Sequence, residues 1–265
     1  MRLIIDSKTI AYRVWHKFPR ETPASPYIGF GNTLLTLINK FNPAELHICF
    51  DHPVSIKKGW GVGYKANRTP NFELDNFYES LYNELSEFPL ALYKYAGYEA
   101  DDIIAGLVKD SPYKNVIVTA DRDMLALVNE LTYVYFSPSK GRAKLYNLAQ
   151  IMTEYDLTPA QMLVKKVLEG DISDNIRGVK GIGAVYAKHF AEKVKDIYEL
   201  ERKVEKGIIM LSRKQPTEVS LQQIKTATAL VNFLEIDRFE EKLGVFSIND
   251  IYNFIKYIKD INDST

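Results

Sequence analysis

Residues 97–108 read GYEADDIIAGLV, and this stretch places three carboxylates directly before an apolar helical run. The acids are Glu99, Asp101 and Asp102. A helix of this kind needs one acid at its start, because one side chain caps free backbone N–H groups and complements the helix dipole. Three acids within four positions raise a second interpretation, a cation site. That interpretation predicts that other carboxylates converge on the same place.

Short apolar runs with strand character lie on both sides of this stretch, and helical patterns separate them. The strand-like runs are 2–5, 46–50, 90–95, 115–120 and 131–136, and the helical patterns are 28–40, 72–88, 99–109 and 123–129. This alternation indicates an α/β fold with a mostly parallel central sheet and flanking helices. Segments 132–136 and 142–146 predict a hairpin.

The pattern becomes helical after about residue 147. The predicted helices are 148–154, 159–169, 183–195, 198–206, 220–233 and 249–260. We therefore expect an α/β core over residues 1–147 and a helical region over residues 148–265.

Composition narrows the class of protein without naming a partner. Lys plus Arg and Asp plus Glu number 34 each, so only local patches of charge can favour a nucleic acid. The single Cys49 allows no internal disulfide and fits a reducing compartment, and its apolar surroundings predict a buried small side chain. The sequence has no apolar run long enough to span a membrane and no signal-peptide pattern, so we expect a soluble, cytoplasmic protein.

Further carboxylates follow the other predicted strands. Asp6, Asp51 and Asp121 each come after a strand, and Asp123 lies two residues beyond the last of them. Ligands of an open parallel sheet bind outside the carboxyl ends of its strands, so these acids converge with those of 97–108. Each acid alone could be a helix cap or a turn residue, but their coincidence disfavours that reading for the set. Asp171 and Asp174, in LEGDISDNIRG, would complete the cluster if the helical region folds over this edge.

The magnitude of the repulsion favours a metal site. Two like charges about 4 Å apart repel by roughly 4 kcal/mol at an effective dielectric near 20. Carboxylate oxygens select hard cations such as Mg²⁺ or Mn²⁺, and the four histidines show no zinc spacing. Two such cations roughly 4 Å apart could activate water and stabilise both oxygens of a phosphoryl displacement.

A basic loop, IKKGWGVGYKANR at residues 56–68, could guide a phosphate past these acids. It carries four cations and two aromatic side chains: Lys57, Lys58, Lys65, Arg68, Trp60 and Tyr64. Basic residues contact phosphates, and aromatic residues stack on unpaired bases. The alternative is a solvated loop with chance charges.

A glycine-rich turn, IRGVKGIGAVYAKHF at residues 176–190, leads into a predicted helix. Its candidate binding residues are Gly178, Lys180, Gly181, Gly183 and Lys188. Backbone N–H groups of such turns and of helix N-termini favour anions, which fits a helix–hairpin–helix that grips a duplex backbone. An ordinary turn between two helices would use the same glycines.

Six stretches together resemble the 5′-nuclease family. They are LIIDSKTIAYRVWHKFP, ICFDHP, GYKANR, GYEADDIIAGLV, VIVTADRDMLALV and LEGDISDNIRGVKGIGAVYA. In this order they are similar to phage flap endonucleases, to phage 5′-exonucleases with RNase H activity and to the 5′-nuclease domain of bacterial DNA polymerase I. The resemblance spans residues 3–190, and residues 195–265 carry no motif that we can assign.

The resemblance implies roles for matching positions. The first metal site and its surroundings would comprise Asp6, Asp51, Glu99, Asp101, Asp102 and Asp121. The second would comprise Asp123, Asp171 and Asp174, with Asp121 near both.

The resemblance also implies a helical arch at about 52–88, in which Lys65 and Arg68 hold the scissile phosphate and Tyr64 stacks on a displaced base. The glycine content of residues 52–71 suggests that this arch orders on DNA. Arg13 would lie on the first helix near the site. The helix–hairpin–helix at about 159–195 would bind duplex, with K⁺ on its carbonyls.

The implied activity is that of a structure-specific 5′ nuclease that uses two Mg²⁺ or Mn²⁺ ions and removes RNA primers or 5′ flaps during DNA replication. The implied partners are DNA with a flap, nick or RNA primer, and a replicative polymerase or single-strand-binding protein. We expect a monomer in a bacterial or phage-infected cytoplasm. A non-catalytic junction binder of the same fold and a PIN-type RNase remain open. A haloacid-dehalogenase-type phosphatase is disfavoured, because Lys8 stands where its second Asp would lie.

Overall fold

A parallel sheet forms the centre of the molecule. The computed structural model describes residues 1–18, 25–60, 63–138, 140–211, 216–236 and 239–263. The strands of this central sheet are β1 Arg2–Asp6, β2 Glu45–Cys49, β3 Ala91–Tyr93, β4 Asn115–Thr119, β5 Thr132–Phe136 and β6 Lys144–Tyr146. Within the described residues the six strands follow the order β3-β2-β1-β4-β5-β6. All neighbours are parallel except β5 and β6, which form the predicted hairpin.

The register of the sheet aligns the carboxyl ends of its central strands. Ile5 of β1 pairs with Ile48 of β2 and with Val118 of β4. The chain therefore leaves these three strands at one edge, where the following acids meet.

Helices cover both faces of the sheet and build the second part of the chain. They are α1 Ser7–Lys17, α2 Ser25–Phe41, α3 Phe72–Ser86, α4 Ala100–Val108, α5 Leu148–Tyr155, α6 Pro159–Glu169, α7 Ala184–Ala191, α8 Ile197–Glu205, α9 Thr217–Val231 and α10 Ile248–Asp263. Most predicted helices are confirmed within a few residues, although 123–129 is a short 3₁₀ helix, Arg122–Leu127. Periodicity did not predict α1, whose buried face is only Ser7, Ile10, Ala11 and Val14. It also missed two short strands, β7 Gly170–Asp171 and β8 Ile176–Arg177.

Alternation along the strands divides the core in two. Leu3 and Ile5 of β1 face α1, α2 and α3, whereas Ile4 faces α4 and the 3₁₀ helix. Residues of adjacent strands alternate in the same way, as a sheet buried on both faces requires. A further apolar cluster joins α6, α7, α8 and α9.

The end of the chain corrects the expected boundaries. Residues 148–265 do not form one helical region, because α10 packs on α2, where Ile255 lies against Gly31. The preceding segment returns along the sheet, and the amide of Leu46 donates to the carbonyl of Gly244 at 2.7 Å. The helical region therefore ends near Val231, and the remainder completes the α/β core.

The expected arch is also shorter than residues 52–88. The side chains of Leu74, Phe77 and Leu81 of α3 are buried in the core of the sheet. A helix buried in this way belongs to the core, so the segment that can act as an arch is confined to about residues 52–71. No helix among the described residues is long and apolar enough to cross a membrane.

Candidate metal centre and nucleic-acid interface

The carboxyl edge of the sheet opens into a cavity of about 490 Å³. Asp6 ends β1, and Asp51 and Asp121 lie two residues beyond β2 and β4. Glu99 and Asp101 reach the cavity from the start of α4. Five of the nine predicted acids therefore line one cavity.

Asp6 and Asp51 are held in place by hydrogen bonds to their carboxylates. The hydroxyls of Thr9 and Thr119 donate to one oxygen of Asp6 at 2.7 and 2.6 Å. The amide of Ala100 donates to Asp51 at 2.7 Å, and the ammonium of Lys8 lies 2.7 Å from its other oxygen. Burial raises the pKa of Asp6. Burial opposes ionisation of Asp51 too, but Lys8, the amide of Ala100 and Lys65 together outweigh it, and the pKa of Asp51 is lowered.

The surroundings of Asp101 and Asp121 oppose ionisation of their carboxyl groups. Burial and the neighbouring charge of Asp102 raise the pKa of Asp101 well above its ordinary value. Burial of the Asp121 carboxyl and repulsion from Asp123 raise its pKa to about 6, although the residue keeps an exposed face. A nearby cation would relieve both effects, because an opposite charge favours the ionised form.

A second group of acids joins the sheet edge to the helical region. Asp123, Asp171 and Asp174 each offer a carboxylate oxygen, and the three oxygens lie within 4.8 Å of one another. The ammonium of Lys166, on α6, contacts Asp123 and lies 2.8 Å from Asp171. Although burial acts in the opposite sense, Lys166 helps to lower the pKa of Asp171 to about 2. This spacing is compatible with a shared cation.

The position of Asp102 corrects the expected set of metal ligands. Its side chain is fully buried and one oxygen accepts the amide of Glu99 at 3.1 Å, which closes a capping box at the start of α4. The other oxygen accepts the amide of Leu234 at 2.7 Å and lies 3.4 Å from the ammonium of Lys57. Asp102 thus anchors the returning C-terminal segment and does not line the cavity.

Lys57 and Tyr64 of the basic loop are also corrected. Lys57 is 2% exposed and paired with Asp102, so it is not available to a phosphate. Tyr64 is 4% exposed, packs in the apolar cluster of the helical region and donates its hydroxyl to Glu99 at 2.9 Å. Its ring therefore cannot stack on a base in this conformation.

The other predicted residues of the basic loop do face the site or solvent. The ammonium of Lys65 lies 2.6 Å from Glu99, and the guanidinium of Arg68 contacts Asp174. Lys65 has a left-handed backbone with φ of 54°, so residues 65–68 form a turn and not a turn of α-helix. Lys58 and Trp60 are exposed at the end of a 3₁₀ helix, Ile56–Trp60.

Arg13 lines the cavity from α1. Its guanidinium donates to the carbonyl of Ser137 at 2.6 Å and to the hydroxyl of the same residue at 3.0 Å. These bonds fix the side chain at the cavity wall.

The glycines of the 176–190 turn are favoured at their positions for different structural reasons. A Cβ on Gly178 would lie 2.4 Å from backbone atoms of Leu168 and Glu169, so this glycine permits close packing on the end of α6. Gly181 has φ of 88°, and a Cβ on Gly181 or Gly183 would meet nothing within 4 Å. Only the latter two therefore lie on an open surface where a phosphate could approach their backbone.

Lys180 and Lys188 also differ in their surroundings. Lys180 is exposed, and its amide donates to Gln223 of α9 at 3.2 Å. Lys188 lies in the last turn of α7 and pairs with Asp156 at 3.3 Å and Glu192 at 3.7 Å. Lys180 is thus the better placed of the two to contact a phosphate.

Several residues of the site had no signal in the sequence. Lys8 and Lys166 neutralise the acids, and Thr9 and Thr119 orient Asp6. Lys166 could have been suspected from its place one turn before the end of α6, where it precedes Asp171 by five residues. The others depend on contacts between separate elements.

The family model of the 5′-3′ exonuclease N-terminal, resolvase-like domain matches residues 1–156. This chain belongs to the 5′-3′ exonuclease family. All five acids of the cavity lie within the matched residues, whereas Asp171 and Asp174 lie beyond them.

Similar proteins extend the comparison. This exonuclease-family chain is 32% identical over 224 residues to DNA polymerase I of Caldicellulosiruptor bescii. The aligned region covers 78% of this chain and 26% of that polymerase. It is 26% identical over 221 residues to the 5′-3′ exonuclease of Mycoplasmopsis pulmonis, which covers 80% of the chain and 73% of the relative. The chain thus spans about a quarter of the length of the polymerases that it matches.

Solved structures show the same fold. The T5 5′-exonuclease, solved with divalent zinc ions, superposes with a TM-score of 0.69 at 20% identity and covers 99% of this chain and 100% of that one. The catalytic core of Rad2 in complex with DNA substrate gives a TM-score of 0.57 at 15% identity, with coverage of 99% and 90%. These likenesses establish the architecture of the exonuclease-family chain over both its sheet and its helical region.

Proposed function

We propose that the protein is a divalent-metal-dependent 5′ nuclease that cleaves a phosphodiester of DNA or of an RNA primer on DNA. The observation that carries the proposal is the meeting of five acids from four elements of the α/β core in one cavity, which Lys65 and Arg68 also line. Acids supply cation ligands, and the two basic residues supply contacts for a phosphate. Family membership supports the same reaction class.

The donor set fits hard divalent cations. Every candidate ligand is a carboxylate oxygen, which is the donor that Mg²⁺ and Mn²⁺ prefer. The raised pKa values of Asp101 and Asp121 give a second reason, since a bound cation would restore their ionised forms. The structures of the T5 enzyme contain metal ions, and zinc ions in one of them.

We assign the ligands to two groups. The first comprises Asp6, Asp51, Glu99, Asp101 and Asp121. The second comprises Asp123, Asp171 and Asp174, with Asp121 shared. Bound divalent cations would supply a water of lowered pKa and neutralise charge on the scissile phosphate.

The protein's own residues would position the substrate around these groups. Lys65 and Arg68 would bind the scissile phosphate and stabilise the charge that develops on its oxygens. Arg13 would contact the same strand from α1. The open backbone at Gly181 and Gly183, together with Lys180, would hold the duplex backbone without reading its sequence.

Substrate and context form the finer part of the proposal. We propose DNA with a 5′ flap, a nick or an RNA primer as substrate, and primer or flap removal during replication as the role. Support comes from the T5 flap endonuclease in a pseudo-enzyme–product complex with DNA and metal ions, and from the Rad2 core with DNA substrate. The proposed partner is a replicative polymerase or a single-strand-binding protein, and K⁺ is proposed to bind at the 178–183 turn. We also propose that the protein is a monomer in a bacterial or phage-infected cytoplasm.

Labelled substrates test the proposal directly. Flap, nick and RNA·DNA substrates, labelled at the 5′ or the 3′ end, are incubated with Mg²⁺, Mn²⁺, Zn²⁺ or chelator, and product lengths are mapped. We expect cleavage near the junction with Mg²⁺ or Mn²⁺, none with chelator and no rescue by Zn²⁺. Binding of the flap without cleavage in Mg²⁺ would favour the non-catalytic junction binder, and cleavage of single-stranded RNA alone would favour a PIN-type RNase.

A further inference from the structure

Three hydrogen bonds join the basic loop to the turn that carries Asp171 and Asp174. We call residues 170–177 the acid turn. The side-chain amide of Asn67 donates to the carbonyl of Ile172 at 2.8 Å, and that of Asn175 donates to the carbonyl of Gly63 at 2.8 Å. Between them the amide of Lys65 donates to the carbonyl of Asp174 at 2.9 Å. Each asparagine thus donates from its own element to the backbone of the other, and we call these three hydrogen bonds the clamp.

These bonds differ in kind from the ion pairs beside them. Lys65 with Glu99 and Arg68 with Asp174 are pairs whose acids are also candidate cation ligands, so a cation competes with each pair. The three bonds of the clamp use only neutral amides and carbonyls. They do not compete with a cation and can persist when the ion pairs open.

The backbone at the contact has a conformation that needs such support. Gly63, Lys65 and Asn175 all have left-handed φ values, of 72°, 54° and 55°. Glycine and asparagine adopt this region readily, but lysine does not, and a strained residue persists only where its surroundings fix it. A Cβ on Gly63 would lie 3.0 Å from the amide nitrogen of Asn175, so the glycine also makes room for the clamp.

We propose that Asn67 and Asn175 are positioning residues that hold Lys65 and Arg68 against the acid turn. This proposal rests on the proposed function for its catalytic consequence. The clamp fixes the distance between the cations that would bind the scissile phosphate and the acids of the second group. The basic loop and the acid turn then move as one unit when DNA binds.

Hydrogen exchange tests the clamp without DNA or activity. We expect the amides of residues 63–68 to exchange roughly tenfold faster in Asn67→Ala and in Asn175→Gly than in the wild-type protein. Asn175→Gly keeps the left-handed backbone accessible and removes only the side chain, and Asn83→Ala, at an exposed asparagine of α3, is the matched control. Unchanged exchange in both clamp variants with an intact fold would overturn the proposal.

Single-turnover cleavage tests the consequence. Asn67→Ala should slow the saturated rate by about 10- to 10²-fold, since small misplacements of catalytic groups have effects of this size. Duplex affinity should change by less than about twofold, because Lys180 and the open glycines are untouched. Asn67→Gln, which can still donate a hydrogen bond, should recover part of the rate.

A double-variant background separates positioning from general loosening of the structure. In a protein that carries both Lys65→Ala and Arg68→Ala, adding Asn67→Ala should slow cleavage no further, because the residues that it positions are gone. An equal slowing in both backgrounds would overturn the positioning role. If the wild-type protein cleaves none of the substrates, the proposed function fails with the catalytic consequence, whereas the exchange result still decides the clamp.

Discussion

Asp101 and Asp121 at the sheet edge differ from Asp171 of the acid turn in how their surroundings act on their charge. At the edge, Asp101 and Asp121 have raised pKa values, because burial and neighbouring acids oppose their charge. In the acid turn, Lys166 helps to hold the pKa of Asp171 at about 2. Asp101 and Asp121 therefore experience repulsion that a cation would relieve, whereas Asp171 is already paired with Lys166. We expect substitutions in the two groups to differ in activity, stability and pH response.

The largest expected effect is on cleavage at the edge group. Asp121→Asn should lower the single-turnover rate by roughly 10³-fold or more, since it removes a proposed ligand shared by both groups. Binding to flap DNA in the presence of Ca²⁺ should persist, because the 178–183 turn and the basic loop are unchanged. Asp75→Asn, at an exposed acid of α3, is the control. Equal losses of binding and cleavage in Asp121→Asn would contradict separate roles for the acidic residues in cleavage and the basic residues in DNA binding.

The next effect distinguishes the basic loop from the 178–183 turn, which carries Lys180. Lys65→Ala or Arg68→Ala should slow the saturated rate by roughly 10²-fold, which corresponds to about 3 kcal/mol of transition-state stabilisation. Lys180→Ala should leave that rate unchanged and weaken duplex binding. Because one phosphate contact is lost, the slope of log K against log salt concentration should become shallower by about 1. Fluorescence anisotropy at several salt concentrations and rapid-quench cleavage measure the two quantities.

The exposed Lys256 of α10 provides a matched control for these lysine substitutions. Lys256→Ala should change neither quantity. Loss of affinity alone in the basic-loop variants, with loss of rate alone in Lys180→Ala, would show that the two elements have exchanged roles.

The sequence predicted the parts of the site that follow from strand ends. Asp6, Asp51 and Asp121 lie where parallel strands end, so alternation of strands and helices was enough to bring them together. Periodicity could not show which way each acid of 97–108 faces. Asp102 turns inward because Lys57 and the amide of Leu234, distant in sequence, meet it in the core.

The same limit applies to the basic loop and to the end of the chain. Aromatic and basic residues in a glycine-rich loop suggested exposure, yet Tyr64 is buried against the helical region. The apolar face of α10 was visible in the sequence, but not its partner, α2. Local patterns therefore specify elements and their ends, whereas the choice of neighbour depends on tertiary packing.

A smaller effect concerns stability in metal-free buffer. Asp101→Asn should raise the melting temperature by about 2–4 °C, or roughly 1 kcal/mol. It removes a charge that burial and the repulsion from Asp102 both disfavour, and it keeps the oxygen that accepts the amide of Asp102 at 2.8 Å. Asp171→Asn should lower the melting temperature by a similar amount, because Lys166 loses one partner. Shifts of the same sign in both variants, measured by calorimetry with chelator present, would contradict the contrast between the groups.

The remaining effect is the pH dependence of that contrast. The pKa of Asp121 is raised from 3.8 to about 6 in the folded protein, so between these values the folded state binds more protons than the unfolded state. The contribution of Asp121 to the free energy of unfolding therefore falls as the pH rises through this window. The pKa of Asp171 is lowered from 3.8 to about 2, so its contribution is present above pH 3.8 and is lost as the pH falls towards 2.

Chemical denaturation in chelator from pH 4 to 7 can measure the first of these contributions. The stability of Asp121→Asn relative to the wild-type protein should increase over this range, whereas that of Asp171→Asn should stay constant above about pH 5, because Asp171 is ionised in both states there. Saturating Mg²⁺ should abolish the increase for Asp121→Asn, since a cation at the edge favours the ionised wild-type carboxyl. A difference that is flat with pH in chelator would show that the sheet edge does not store the repulsion assigned to it.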